Sequence, residues 1–258
     1  FKQKTAYEIP KRDWSSDVCS SDLTLATNAT LVTFPLLSPR VASYRADRDF
    51  TPVAYFARTS MLLITATAPA NPKSLSELIA AIKAKPLPFA SNGAGTIGHL
   101  VTEAFLLNLN AKATHIPYKG SGQSHTDMLR GEVAFMTDTP AAAMANIRAG
   151  RFRALAVTGD ARLDALPEVP TFEEAGIRNM NLYAWWGIFG PPALPREVTR
   201  KLDAEVRTAM QALDFRARLR SLELQEFVLP PEKFAAFMTA ELAYWRRFIE
   251  QTGIRLDP

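Results

Sequence analysis

The sequence of 258 residues holds a single cysteine, Cys19, so no internal disulfide can brace the fold and cysteine usage leaves the redox compartment open. Histidine is nearly as scarce. His99, His115 and His125 lack metal-ligand spacing with cysteine or paired acids, and no structural metal or cofactor is expected. No apolar run reaches the ~20 residues that a membrane span needs. Repeats and low-complexity linkers are missing too. Charge is low and dispersed: 30 Lys and Arg against 26 Asp and Glu give +4, without the basic clusters of a nucleic-acid binder. What remains is 47% hydrophobic and 22% charged, enough for one large or two modest globular domains.

Residues 1–23 show neither helical nor strand periodicity and none of the regions of a secretory signal. They resemble translated sequencing-adapter DNA, and a non-native or disordered stretch is expected there. Regular patterning starts at Thr24. Leu25 to Thr30 reads as a strand end running into a polar turn, and Phe56 to Ala66 as one long strand. Ser74-Leu75-Ser76-Glu77 is a capping box for a helix that Pro86 stops. Strands at 87–91, 113–117, 132–137 and 153–158 then alternate with helices at 98–109, 123–130 and 139–149. Gly131 and Gly150 stand where helix C-termini need them. This alternation predicts a mainly parallel sheet covered by helices.

Thr171-Phe172-Glu173-Glu174 predicts a further short helix closed by Gly176, and Leu182 to Phe189 an aromatic strand. Residues 195–212 and 231–252 read as amphipathic helices. Val198, Leu202, Val206 and Met210 form one core-facing stripe; Phe234, Phe237, Trp245, Phe248 and Ile249 form the other. Strands near 61–66 and 182–190 bracket the middle block. If both cross between lobes, the outer lobe is built from both chain ends and a cleft lies between the lobes.

Within the middle block, Gly93, Gly95 and Gly98 spell a G-x-G-x-x-G, open to two readings. A dinucleotide-binding oxidoreductase requires an acid about 20 residues on, at the end of the second strand. That strand, 113–117, is followed by Tyr118-Lys119-Gly120, which keeps only a weakened NADP reading. The other reading is an anion site: Ser91 and Thr96 supply hydroxyls, Gly93, Ala94 and Gly95 admit close approach, and the amides of Gly95 to Gly98 point outward at a helix start. His99 falls in the first helical turn as a hydrogen-bonding support. Asp138, ending a strand, faces the cleft or caps the following helix; Thr158 holds the equivalent place on the next strand. Tyr183 and Trp185 either wall the cleft or pack in the core. Ser91, His99 and Asp138 lack the spacing of a catalytic triad, and no nucleophile elbow is present; no enzyme activity is expected.

Several segments then occur in order: Tyr118-Lys119-Gly120-Ser121, Met128 to Val133, Ile147 to Thr158, Leu166 to Gly176 and Trp186 to Pro191. From Thr24 to the C-terminus the chain thereby resembles the Bug family, the TctC-like substrate-binding proteins of tripartite tricarboxylate transporters. The resemblance implies an α/β, two-lobed periplasmic-binding-protein fold of type II (Venus flytrap) with a mainly parallel sheet in each lobe. Lobe one would take 24–71 and 189–258, and lobe two 72–188. It implies a monomeric periplasmic receptor that closes on a small carboxylate (a di- or tricarboxylate, acidic amino acid or aromatic acid) for membrane subunits of a transporter. A carboxylate sensor for a signalling partner is the variant reading. By resemblance, Ser91 to Thr96 match the family's ligand loop, Thr27 and Asn28 its first-lobe turn, and Asp138 a pocket position. The family's opening strand, loop and helix have no match before Thr24, so truncation, poor stability and weak binding of this chain are expectations as well.

Overall fold

The computed structural model describes residues 23–256; the expectation for 1–23 falls on residues outside them, Leu23 apart. The chain begins with β1 (Thr24–Thr27), a π-helical turn (Ala29–Thr33), α1 (Phe34–Leu37), β2 (Thr51–Ser60) and β3 (Leu62–Ala66). It continues through α2 (Leu75–Ala84), β4 (Pro88–Ser91), α3 (Ile97–Asn108), β5 (Thr114–Pro117), α4 (Ser121–Arg130), β6 (Phe135–Asp138), α5 (Pro140–Arg148) and β7 (Phe152–Val157). The last stretch is β8 (Tyr183–Gly190), α6 (Arg196–Met210), α7 (Leu213–Ser221), β9 (Gln225–Leu229) and α8 (Pro231–Thr252).

The described residues fall into two compact units: one gathers those up to Arg58 and from Trp185 onward, the other is Thr59–Ala184. The division falls at Arg58 rather than near residue 71 because β3 hydrogen-bonds to β6 and β7 inside the second unit. The single strand expected over 56–66 is accordingly two strands, broken at Met61, that join different sheets.

The Thr59–Ala184 unit holds a five-stranded sheet of order β5-β4-β6-β3-β7. It is mixed rather than mainly parallel. β5, β4 and β6 run the same way, whereas β3 is antiparallel to both β6 and β7. The reason is connectivity: helical crossovers join β4 to β5 to β6 to β7, but β3 follows β2 directly and enters without one. Leu62, Ile64, Ala90, Met128, Met136, Ala143 and Val157 form a dry core beneath it. Ser74 caps α2 by accepting from the Glu77 amide at 3.2 Å, and the Glu77 carboxylate accepts from the Lys73 amide. The short helix expected from Thr171 is a turn instead. Thr171 and Glu174 bond each other's amides in the capping pattern, but Thr171 also pairs with Val157 and Gly176 turns the chain at once.

The other unit has a four-stranded sheet of order β1-β8-β2-β9, with β1–β8 and β2–β9 antiparallel, again not the parallel sheet expected. Its core is aromatic: Tyr55, Trp185, Phe189, Phe234 and Phe237 meet at centroid distances between 5.0 and 6.4 Å. Trp185 is therefore a core residue. Glu241 is clamped within this core by the indole N–H of Trp185 at 3.0 Å and of Trp245 at 3.3 Å. Desolvation raises its pKa above the ordinary glutamate value, and the two indole bonds only partly offset this.

Candidate functional site

Parallel pairing of β4 with β6 sets Phe89 beside Phe135 and Ala90 beside Met136. In this register Asn92, the residue just past β4, falls level with Asp138, the last residue of β6, at the carboxyl edge where open α/β sheets bind ligands. Asn92 Nδ2 donates to Asp138 Oδ1 at 2.8 Å. This bond ties the glycine loop to the neighbouring strand end.

Each glycine of the loop has a local reason. Gly93 and Gly95 take φ of 137° and 78°, outside the range of ordinary side chains. At Gly98 a Cβ would lie 2.5 Å from the Thr137 carbonyl oxygen, so only glycine lets α3 approach β6 this closely. Thr102 Oγ1, bonded to the Gly98 carbonyl and to Thr137 Oγ1, fixes the contact. A tight turn and a close helix–strand crossing thus account for the G-x-G-x-x-G without a dinucleotide. The acid that would hold a ribose is missing, since β5 ends at Pro117 and leads into Tyr118 and Lys119.

Loop hydroxyls turn inward. Ser91, fully buried, donates to the Gly93 carbonyl and accepts from the Gly93 amide; Thr96 Oγ1 also donates to Gly93 O, at 2.8 Å. Two of the amides expected to point outward are engaged instead: Gly95 N donates to His99 Nδ1 at 3.1 Å and Thr96 N to Gly93 O. His99 reaches back because, at the third position of α3, its ring overlies the loop. Beyond it the amides of Ile97, Gly98 and His99 have no hydrogen-bond partner among the described residues. Thr96, the residue before the helix, supplies no side-chain cap. With its hydroxyl occupied, α3 begins uncapped, its positive dipole end behind three free donors.

Aromatic rings support the loop from below. His99 and His115 stack at 3.8 Å, and Phe89 lies 4.9 Å from His115. His115 Nε2 sits 2.7 Å from Ser91 Oγ. Burial, reinforced by the neighbouring His99, lowers the His115 pKa to about 4.

Asp138 is fully buried. Its Oδ1 accepts from Asn92 Nδ2 and the Thr139 amide, each at 2.8 Å, and its Oδ2 lies 2.9 Å from His125 Nε2. Asn146 Nδ2 stands 3.3 Å from His125 Nδ1, which leaves Nε2 as the ring's donor to Asp138. Asn92 Oδ1 is buried and has no protein partner among the described residues. Asn92 escaped the sequence reading; the one available signal was its place immediately after a strand, level with Asp138.

Thr158 Oγ1 accepts from the Met61 amide and donates to the Leu182 carbonyl, binding strand ends together. Tyr183 OH donates to Asp160 Oδ1 at 2.6 Å and accepts from the Asp160 amide, which clasps the turn after β7. In the other unit Thr27 and Thr30 exchange bonds through their hydroxyls, and buried Asn28 accepts from the Ala29 amide at the start of the π-helical turn. A hollow of about 770 Å³ between α2, β7 and the 166–175 segment shares no lining residue with the glycine loop.

A glycine loop leading into an uncapped helix at the carboxyl edge of a sheet suits an anionic ligand in an α/β protein. The model for "Tripartite tricarboxylate transporter family receptor" matches residues 22–254, and the chain belongs to that family. This is a family of transporter receptors, not of enzymes. A UPF0065 protein from the tcbD-tcbE intergenic region of Pseudomonas sp. strain P51 is 34% identical over 254 residues, 93% of this chain and 75% of that protein. Five other curated relatives are matched over 54% to 66% of their length. A structure described as a periplasmic transporter is 27% identical, with a TM-score of 0.81 over 98% of this chain and 82% of its own. The R. palustris protein Rpa4515 with adipate is 28% identical, with a TM-score of 0.79 over 90% and 78%. Among the described residues no helix is long and apolar enough to cross a membrane.

Proposed function

We propose that this chain is a periplasmic receptor that binds a small carboxylate and hands it to the membrane subunits of a tripartite tricarboxylate-type transporter. One carboxylate of the ligand is held by the loop 91–96 and the start of α3. The observation that carries this reading is the set of free amides on Ile97, Gly98 and His99 at an uncapped helix start. Such a terminus favours an anion by about 0.3–1 kcal/mol from its dipole alone, and each charge-assisted amide bond adds to that. Ser91, Gly93, Ala94, Gly95, Thr96 and His99 shape and support this half-site, with Asp138 beneath it. Thr27, Asn28 and Tyr183 complete the candidate residues. Family membership and the adipate carried by a 28%-identical relative support the carboxylate and the transporter partner.

A thermal-shift screen of the purified chain against small carboxylates tests this. Several mono-, di- or tricarboxylates should raise the melting temperature in proportion to the logarithm of their concentration. NADPH should produce no saturable change in nicotinamide fluorescence. A saturable NADPH signal without any carboxylate response would refute the receptor reading.

A further inference from the structure

Asp138 is the acid hydrogen-bonded to the loop through Asn92, and its bonding decides which carboxylates suit this half-site. We infer that Asp138 is an internal anchor rather than a ligand group, so the site selects carboxylates that carry no ammonium group: plain dicarboxylates over acidic amino acids. The inference rests on the carboxylate-receptor reading and narrows its substrate class.

The geometry is specific. Both oxygens of Asp138 are engaged inside the protein, Oδ1 by Asn92 Nδ2 and the Thr139 amide, Oδ2 by His125 Nε2. His125 is itself bonded to Asn146 and packed edge-on against Phe152 at 4.8 Å, so it cannot swing away freely. A ligand ammonium reaching Asp138 would have to displace at least one of these donors from a fully buried carboxylate. Of the other acceptors near the loop, the Glu103 carboxylate already faces His99 Nε2 at 3.6 Å. Gly93 O already receives Ser91 and Thr96, and Asn92 Oδ1 is a neutral oxygen sealed from solvent. What the loop and helix start leave unpaired is donors, the amides of Ile97, Gly98 and His99. Donors hold a carboxylate and repel an ammonium, and a desolvated cation without a counter-group weakens binding steeply.

Asp138 is then a positioning residue: through Asn92 it fixes the loop, and through His125 it ties the loop to α4. Loosening it should weaken every carboxylate alike.

Matched ligand pairs isolate the ammonium. Isothermal titration of the full chain compares glutarate with L-glutamate and succinate with L-aspartate, for the wild type and for Asp138→Asn and Asn92→Ala. The wild type should bind each diacid at least about tenfold more tightly than its amino acid partner. Both variants should weaken diacid binding while leaving the diacid to amino-acid ratio within about threefold. Equal or tighter binding of an amino acid, or a selective loss of amino-acid binding in Asp138→Asn, overturns the inference and leaves the receptor reading intact. Binding of neither class overturns the receptor reading, and the inference falls with it.

Discussion

Gly98 concentrates the account at the scale of one residue, since the Thr137 carbonyl occupies the space its side chain would need. Gly98→Ala must push α3 away from β6, and overpacking of this kind costs about 1–3 kcal/mol. Urea unfolding should show that loss, together with weaker ligand binding, because the same shift moves the free amides. His115 is the second residue with a measurable consequence. Its folded-state pKa, lowered to about 4, lies below its ordinary value of 6.5. The imidazole therefore contributes stability that is fully present above pH 6.5 and drains away as the pH falls towards 4. His115→Gln should flatten the dependence of melting temperature on pH between 4 and 6.5. An unchanged slope would mean that the ring is not held in its uncharged form.

Elements were legible in the sequence where local signals and tertiary demands agreed. The alternation from α2 to β7 was readable because each strand is short and apolar, each helix carries its own stop, and Gly131 and Gly150 adopt the positive φ that such stops require. Failures came where the deciding force was not local. Nothing at Met61 announces that one extended run serves two sheets, because extended backbone satisfies both. The capping pattern at Thr171 is chemically real, yet the partner waiting there is Val157 rather than a helical turn. α7 and β9 went unread: Leu213 at the start of α7 is exposed and the helix buries only Leu219, so neither element carries a clean apolar stripe. The candidate loop was found through its glycines, but its hydroxyls and the Gly95 amide are engaged by neighbours that only the fold brings close. α8 supplies a prediction at this scale. Because burial raises the Glu241 pKa, the folded chain holds this proton more tightly than the unfolded one, and the stability this contributes is lost as pH rises through the raised value. Glu241→Gln keeps an oxygen for Trp185 and Trp245 without the charge. Its melting temperature should exceed that of the wild type at pH 8 and converge with it near pH 4; a lower value at pH 8 would show that the ionised carboxylate is the better partner.

For the whole molecule, the central claim is that the start of α3 holds the ligand's carboxylate through backbone amides. Backbone donors resist ordinary mutagenesis, but the geometry at Ile97 allows one clean removal. Ile97 is the first residue of α3, where proline is accepted, and Thr96 before it has φ −68° and ψ 159°, which proline also tolerates. Ile97→Pro thus deletes one free amide while respecting the fold. Titration of adipate into the wild type and Ile97→Pro, with melting curves recorded beside it, is the most direct measurement. The account predicts a folded variant whose affinity falls about tenfold or more, the share of one charge-assisted hydrogen bond. A folded variant that binds adipate as tightly as the wild type would contradict it.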